Sequence, residues 1–163
     1  MSTARTQANP DVVITHPNRE TAAAKSTRAF VILVLIASAV LVLVLTWGAW
    51  GRQTGALGLQ LSFALLFGYF AYAVTQWRSG VLPIAAGVAI FSGVFAAVTV
   101  GGWFDRTGDG YADSPLPPEL VGVLLIGYAI LQLVVVVLTM RAFTQQWQVE
   151  LEVPRDQYRG ATA

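Results

Sequence analysis

The 163-residue sequence has no cysteine, one histidine and one lysine, and only 12% of its residues are charged. Without cysteine there can be no disulfide, thiolate nucleophile or Cys-ligated metal. The one histidine, His16, lies in a polar N-terminal segment. A pair of haem-ligating histidines inside the apolar part of the chain is therefore excluded. Soluble domains average about 25% charged residues. Here the stretch from Ala29 to Phe104 carries only Arg52 and Arg78. No Asp, Glu, Lys, Arg or His falls inside a long apolar run, and such intramembrane groups are the usual marks of proton relays and ion paths. That argues against a proton-coupled transporter working as a monomer. The sequence also lacks a phosphate-binding loop, a nucleophile elbow and a zinc-protease helix motif. It has no paired Gly/Pro interruptions in two matching halves, as transporter repeats would carry. Its basic residues are too sparse for a nucleic-acid footprint, so no nucleic-acid partner is expected.

What remains is apolar: 55% of the residues are hydrophobic. A bilayer core about 30 Å thick is crossed by about 20 apolar residues in a helix. Arg28, Arg52, Arg78 and Asp105 bound three uncharged stretches of that length, and 120–140 is a fourth. The expected fold class is an all-α membrane protein, a four-transmembrane-helix antiparallel bundle with short soluble tails. The spans are expected at about 28–50, 56–77, 81–104 and 119–142, within a transmembrane domain at 28–144. In the first span, Ala37-Ser38-Ala39 fits the small-residue cleavage pattern of a signal peptide. The apolar run continues past it to Leu45, so a mature span is expected.

The two ends read differently. Residues 1–27 are polar, with Pro10, Pro17 and scattered charge, and are expected to form a disordered cytoplasmic tail, with at most a short extended contact at 11–15. In the C-terminal tail, 145–163, Trp147, Val149, Leu151 and Val153 alternate with Gln148, Glu150 and Glu152. Alternation with period two is strand-like. A lone strand is unstable in water, so 147–153 is expected to pair with a cytoplasmic partner by strand addition.

The third span carries the main packing signal. Ala85, Ala89, Gly93, Ala97 and Gly101 recur at every fourth position. In lipid, where apolar burial does not drive helices together, small residues allow close backbone approach. The pairs Gly58/Ser62 and Ala64/Gly68 in the second span are candidates to fill that groove. In the fourth span Gln132 sits near the middle, with Tyr128 one turn before it. A buried amide in hydrocarbon requires a partner, which makes Gln132 a candidate interhelical hydrogen bond.

Positive residues near spans tend to stay in the cytoplasm. Arg5, Arg19, Lys25, Arg28, Arg78, Arg141, Arg155 and Arg159 fall on the side of the termini, and only Arg52 and Arg106 on the other. Both termini are expected in the cytoplasm, with Trp47, Trp50 and Trp103 at the outer interface and Trp77 at the inner one. The loop at 105–118 is then extracytoplasmic. In it Asp105, Thr107, Asp109 and Asp113 alternate, with Gly110 sixth from Asp105. Calcium loops place ligands at positions 1, 3, 5, 7 and 9 and a glycine at 6. Over these nine residues the loop resembles the DxDxDGxxD loops of dockerin and thrombospondin type 3 repeats. By that resemblance the ligands would be Asp105, Thr107, Asp109, the Tyr111 carbonyl and Asp113. Position 3 is not an acid, and position 12 is Leu116 in place of a bidentate carboxylate. Calcium would therefore bind only in the range of about 10⁻⁴–10⁻³ M. No other cofactor is expected.

These features point to a non-enzymatic structural or accessory subunit. Its expected partners are the lipid bilayer and other membrane subunits or further copies of itself. The alternatives are an oligomeric transport or channel component, which would line several spans with polar residues, and a membrane enzyme acting on lipid, which would gather reactive groups at one interface.

Overall fold

The computed structural model describes residues 12–50, 56–105 and 114–154. Four long helices form the body: α2 (Ala22–Gly48), α3 (Leu57–Thr75), α4 (Leu82–Asp105) and α5 (Pro118–Thr144). A four-residue helix, α1 (Pro17–Glu20), precedes them, and a 3₁₀ turn (Ser79–Val81) leads into α4. All four long helices are long and apolar enough to cross a membrane. At about 1.5 Å per residue, the 19 residues of α3 span about 28 Å and the 27 of α2 about 40 Å.

The helices run antiparallel. Arg28 near the start of α2 reaches the carbonyls that end α3, and Thr27 meets Gln145 just beyond α5. At the opposite end Gly122 of α5 lies under the Phe104 ring of α4. The closest packing is α4 on α5, then α2 on α3 and α2 on α5, whereas α3 and α4 barely touch. The buried part of the α4 stripe therefore faces α5 and not α3, with Gly93 against Gln132. Gly58 and Gly68 of α3 face open space, because α3 packs with Phe63, Phe67, Phe70 and Val74. Phe63 also meets Phe91 of α4 edge to face at 6.4 Å, one of the few contacts between α3 and α4.

The outward faces are as apolar as the inward ones: Leu33, Leu65, Val98, Leu133 and Val137 are all strongly exposed. A helix that is hydrophobic all round belongs in a large core or in lipid.

The helix starts and ends follow local chemistry. α2 begins at Ala22, six residues before Arg28, because the Thr21 hydroxyl caps it by accepting from the Ala24 N–H at 3.1 Å. α5 starts at Pro118, where the missing N–H costs nothing. Two residues beyond the ends of α3 and α5 the backbone turns left-handed, at Trp77 (φ 59°) and Gln146 (φ 50°). Neither is glycine, so each carries a steric cost. Both carbonyls are held in place by side chains: Trp77 O accepts from Gln148 Nε2 at 2.6 Å and Gln146 O from Asn18 Nδ2 at 3.1 Å.

The terminal segments do not lie apart from the body. β1 (Val12–Thr15) pairs antiparallel with β2 (Leu151–Pro154), in register Val13 with Val153. The strand expected at 147–153 thus begins only at Leu151, and its pairing partner is the chain's own N-terminal segment. Trp147 is not part of it: the left-handed turn at Gln146 folds Trp147 back beneath the bundle, fully buried.

Candidate functional site

Three places hold the residues to which the sequence draws attention. The first is the α4–α5 seam. A spacing of four residues advances about 400° round a helix, so each step drifts by about 40°. Over the sixteen positions from Ala85 to Gly101 the stripe winds nearly half-way round α4. Ala85 and Ala89 are fully buried, Gly93 sits at the edge, and Ala97 and Gly101 face outward. A Cβ at Gly93 would lie 3.1 Å from the Gln132 Cβ, while one at Gly101 would meet nothing. The buried part of the stripe lies on the packed side of α4. The outer part opens on a shallow apolar groove of about 460 Å³ between α4 and α5, lined among others by Ala97, Ile126, Ala129, Ile130 and Leu133.

Gln132 lies across this seam from α2. Its Nε2 donates to Ser38 Oγ at 3.2 Å, and the Ser38 hydroxyl in turn donates to Val34 O at 2.8 Å. The Gln132 amide is 1% exposed, and its Oε1 has no partner. The sequence pointed to Gln132 but not to Ser38, which reads there only as the middle residue of an A-x-A pattern.

The second place is a cap across the end that carries both termini. The Arg28 guanidinium donates to Val74 O (3.2 Å) and Thr75 O (2.6 Å), and stacks 4.4 Å from the centre of the Trp77 ring. A cation at a helix C-terminus complements its dipole and its free carbonyls. Arg19 donates to Trp147 O (2.8 Å) and Gln148 Oε1 (3.0 Å). Trp77 and Trp147 meet edge to face at 5.2 Å. Thr27, Gln145 and the Trp147 Nε1 complete a chain of hydrogen bonds. The sequence gives one signal for the cap, aromatic and cationic residues clustered near three span ends. Nothing in the sequence says that they meet.

The third place is the acidic loop. Asp105 is the last residue of α4, and Thr107, Asp109, Tyr111 and Asp113 lie outside the described residues. Among the described residues no three His, Asp or Glu side chains gather at one point. Trp103, near the end of α4, is buried beside the cavity between α3 and α4. Trp47 and Trp50 face outward.

Comparison with protein-family models, with curated proteins and with solved structures finds no match.

Proposed function

We propose that the protein is a small integral membrane accessory subunit that packs against a transmembrane helix of a larger assembly. Both termini lie in the cytoplasm. The observation that carries this reading is the outward half of the α4 stripe. Gly87, Ile90, Val94, Ala97 and Gly101 form one outward face along α4, and the neighbouring groove is lined by apolar side chains apart from Gln132. A neutral surface of small residues suits the close approach of a second backbone in lipid. Orientation follows from eight basic residues on the side of the termini against two on the other. The cap adds to this reading, because it ties both tails down at the interface and leaves the lateral faces for partners. An oligomeric transport path is less well supported. The polar groups of the bundle interior, Ser38, Ser92 and Gln132 among them, face helices of the same chain.

The absence of other cysteines makes Ala97→Cys a clean reporter. In native membranes, a short cysteine-directed photocrosslinker at position 97 is expected to join the chain to a transmembrane segment of a second, different protein. The double variant Ala97→Leu/Gly101→Leu is expected to lose that complex while keeping the melting temperature of the isolated bundle, since both positions face outward. Crosslinking to lipid alone, or to another copy of the chain, would overturn the accessory-subunit reading.

A further inference from the structure

Because α3 and α4 barely touch, a cleft of about 420 Å³ opens between them in the half of the bundle away from the termini. That volume lies within the range of about 300–1,000 Å³ typical of small-molecule sites. Its floor is buried and comes from Val42 and Leu45 of α2 and Leu125 and Tyr128 of α5. Its rim is exposed and comes from Leu59 of α3 and Phe95, Val98 and Thr99 of α4. The cleft therefore opens sideways, toward whatever surrounds the bundle. Among the described residues no charged side chain lines it.

Two polar atoms at this cleft have no hydrogen-bond partner. The Tyr128 hydroxyl is one, on a side chain only 3% exposed; the Gln60 Oε1 is the other. Ser92 lies beside Tyr128, but its hydroxyl donates to Ala89 O and makes no bond of good geometry with the phenol. A buried polar group without a partner is costly, and more so without water nearby. The phenol can donate and needs an acceptor, while the amide oxygen accepts and needs a donor. A hydroxyl group is both.

We infer that the cleft between α3 and α4 is a binding site for a neutral, lipid-phase amphiphile whose head is a hydroxyl group. The head accepts from Tyr128 and donates to Gln60, and the hydrocarbon part lies against Phe63, Phe95 and Leu59. Entry is lateral, past the α4 rim. The site lies away from the α4–α5 groove and does not depend on what docks there.

The test uses the purified full chain in lipid nanodiscs with a photoactivatable long-chain alcohol, and maps the labelled residues by mass spectrometry. Label is expected on cleft residues such as Phe63 and Phe95. Dodecan-1-ol should compete it away; dodecane, which has no head, and dodecanoate, which is charged, should not. Tyr128→Phe keeps the ring and removes the donor, so competition by dodecan-1-ol is expected to weaken about fivefold, the scale of one ordinary hydrogen bond. Ala96→Phe, which fills the cleft, should abolish cleft labelling. If Ala96→Phe fails to fold, the Tyr128→Phe result decides alone. Equal competition by dodecane, preferential competition by dodecanoate, an unchanged Tyr128→Phe variant, or label spread over outward residues such as Leu65 and Val137 would each overturn the proposal.

Discussion

Replacing Trp147 by alanine is expected to destabilise the bundle by about 3–5 kcal/mol, the usual cost of removing a large, fully buried aromatic side chain. Trp147 is 0% exposed although it lies beyond the last membrane-length helix. Its ring packs edge to face on Trp77, its Nε1 donates to Gln145 Oε1, and its carbonyl accepts from Arg19. Trp77 in turn lies under Arg28, which caps α3. Loss of the indole therefore loosens the end of α3, the end of α5 and the β1–β2 pair together. Thermal melting in detergent should show the loss, and amide exchange should quicken at Val13 and Val153. Truncation after Gln146 should have the same effect. Trp47→Ala, at an outward position, is expected to stay within about 0.5 kcal/mol of the parent. Equal effects at Trp47 and Trp147 would show that the cap does not hold the helices.

Gly93→Leu is expected to cost about 1–3 kcal/mol by overpacking. The added Cβ would come within 3.1 Å of the Gln132 Cβ and 3.4 Å of its Cγ. Gln132 has little freedom to give way, because its amide is tied to Ser38 across the bundle. A leucine has to separate α4 from α5 or turn Gln132 off Ser38. The second route also loses an interhelical hydrogen bond worth roughly 0.6–2 kcal/mol. Val94→Leu, one residue on and facing outward, should change stability by less than about 0.5 kcal/mol. Unfolding of both variants in mixed micelles measures the difference. Equal losses would mean that the α4 stripe reflects composition and not contact.

The four long helices were legible because each apolar run is flanked by charge and has the length of a span. Their ends were less so. The α2 start at Ala22 depends on the Thr21 cap and on three helix-forming alanines, which a boundary placed at Arg28 passes over. Neighbour relations were harder still. Glycine and alanine pairs in α3 look like packing surfaces, but its four large side chains, Phe63, Phe67, Phe70 and Val74, decide which face turns inward. The stripe on α4 was visible, but the drift of a four-residue repeat splits it between the seam and the outward face. β2 was visible in the alternation that ends at Val153, whereas β1 lies in a stretch that reads as a disordered tail with at most a short extended contact. Their pairing joins positions 136 residues apart, Thr15 and Leu151, and no local pattern encodes it. Of the candidate site residues, Gln132 was legible as a lone amide in an apolar run. Tyr128 and Gln60 read as ordinary polar residues until the gap between α3 and α4 brings them to one cleft.

The proposed topology has four membrane crossings with both termini in the cytoplasm. A cysteine-free chain allows this to be measured with single substitutions. In intact cells, a membrane-impermeant maleimide is expected to label Gly108→Cys and to leave Thr3→Cys and Ala161→Cys unlabelled until the membrane is opened. Labelling of Gly108→Cys and Ala161→Cys from the same side would contradict the account.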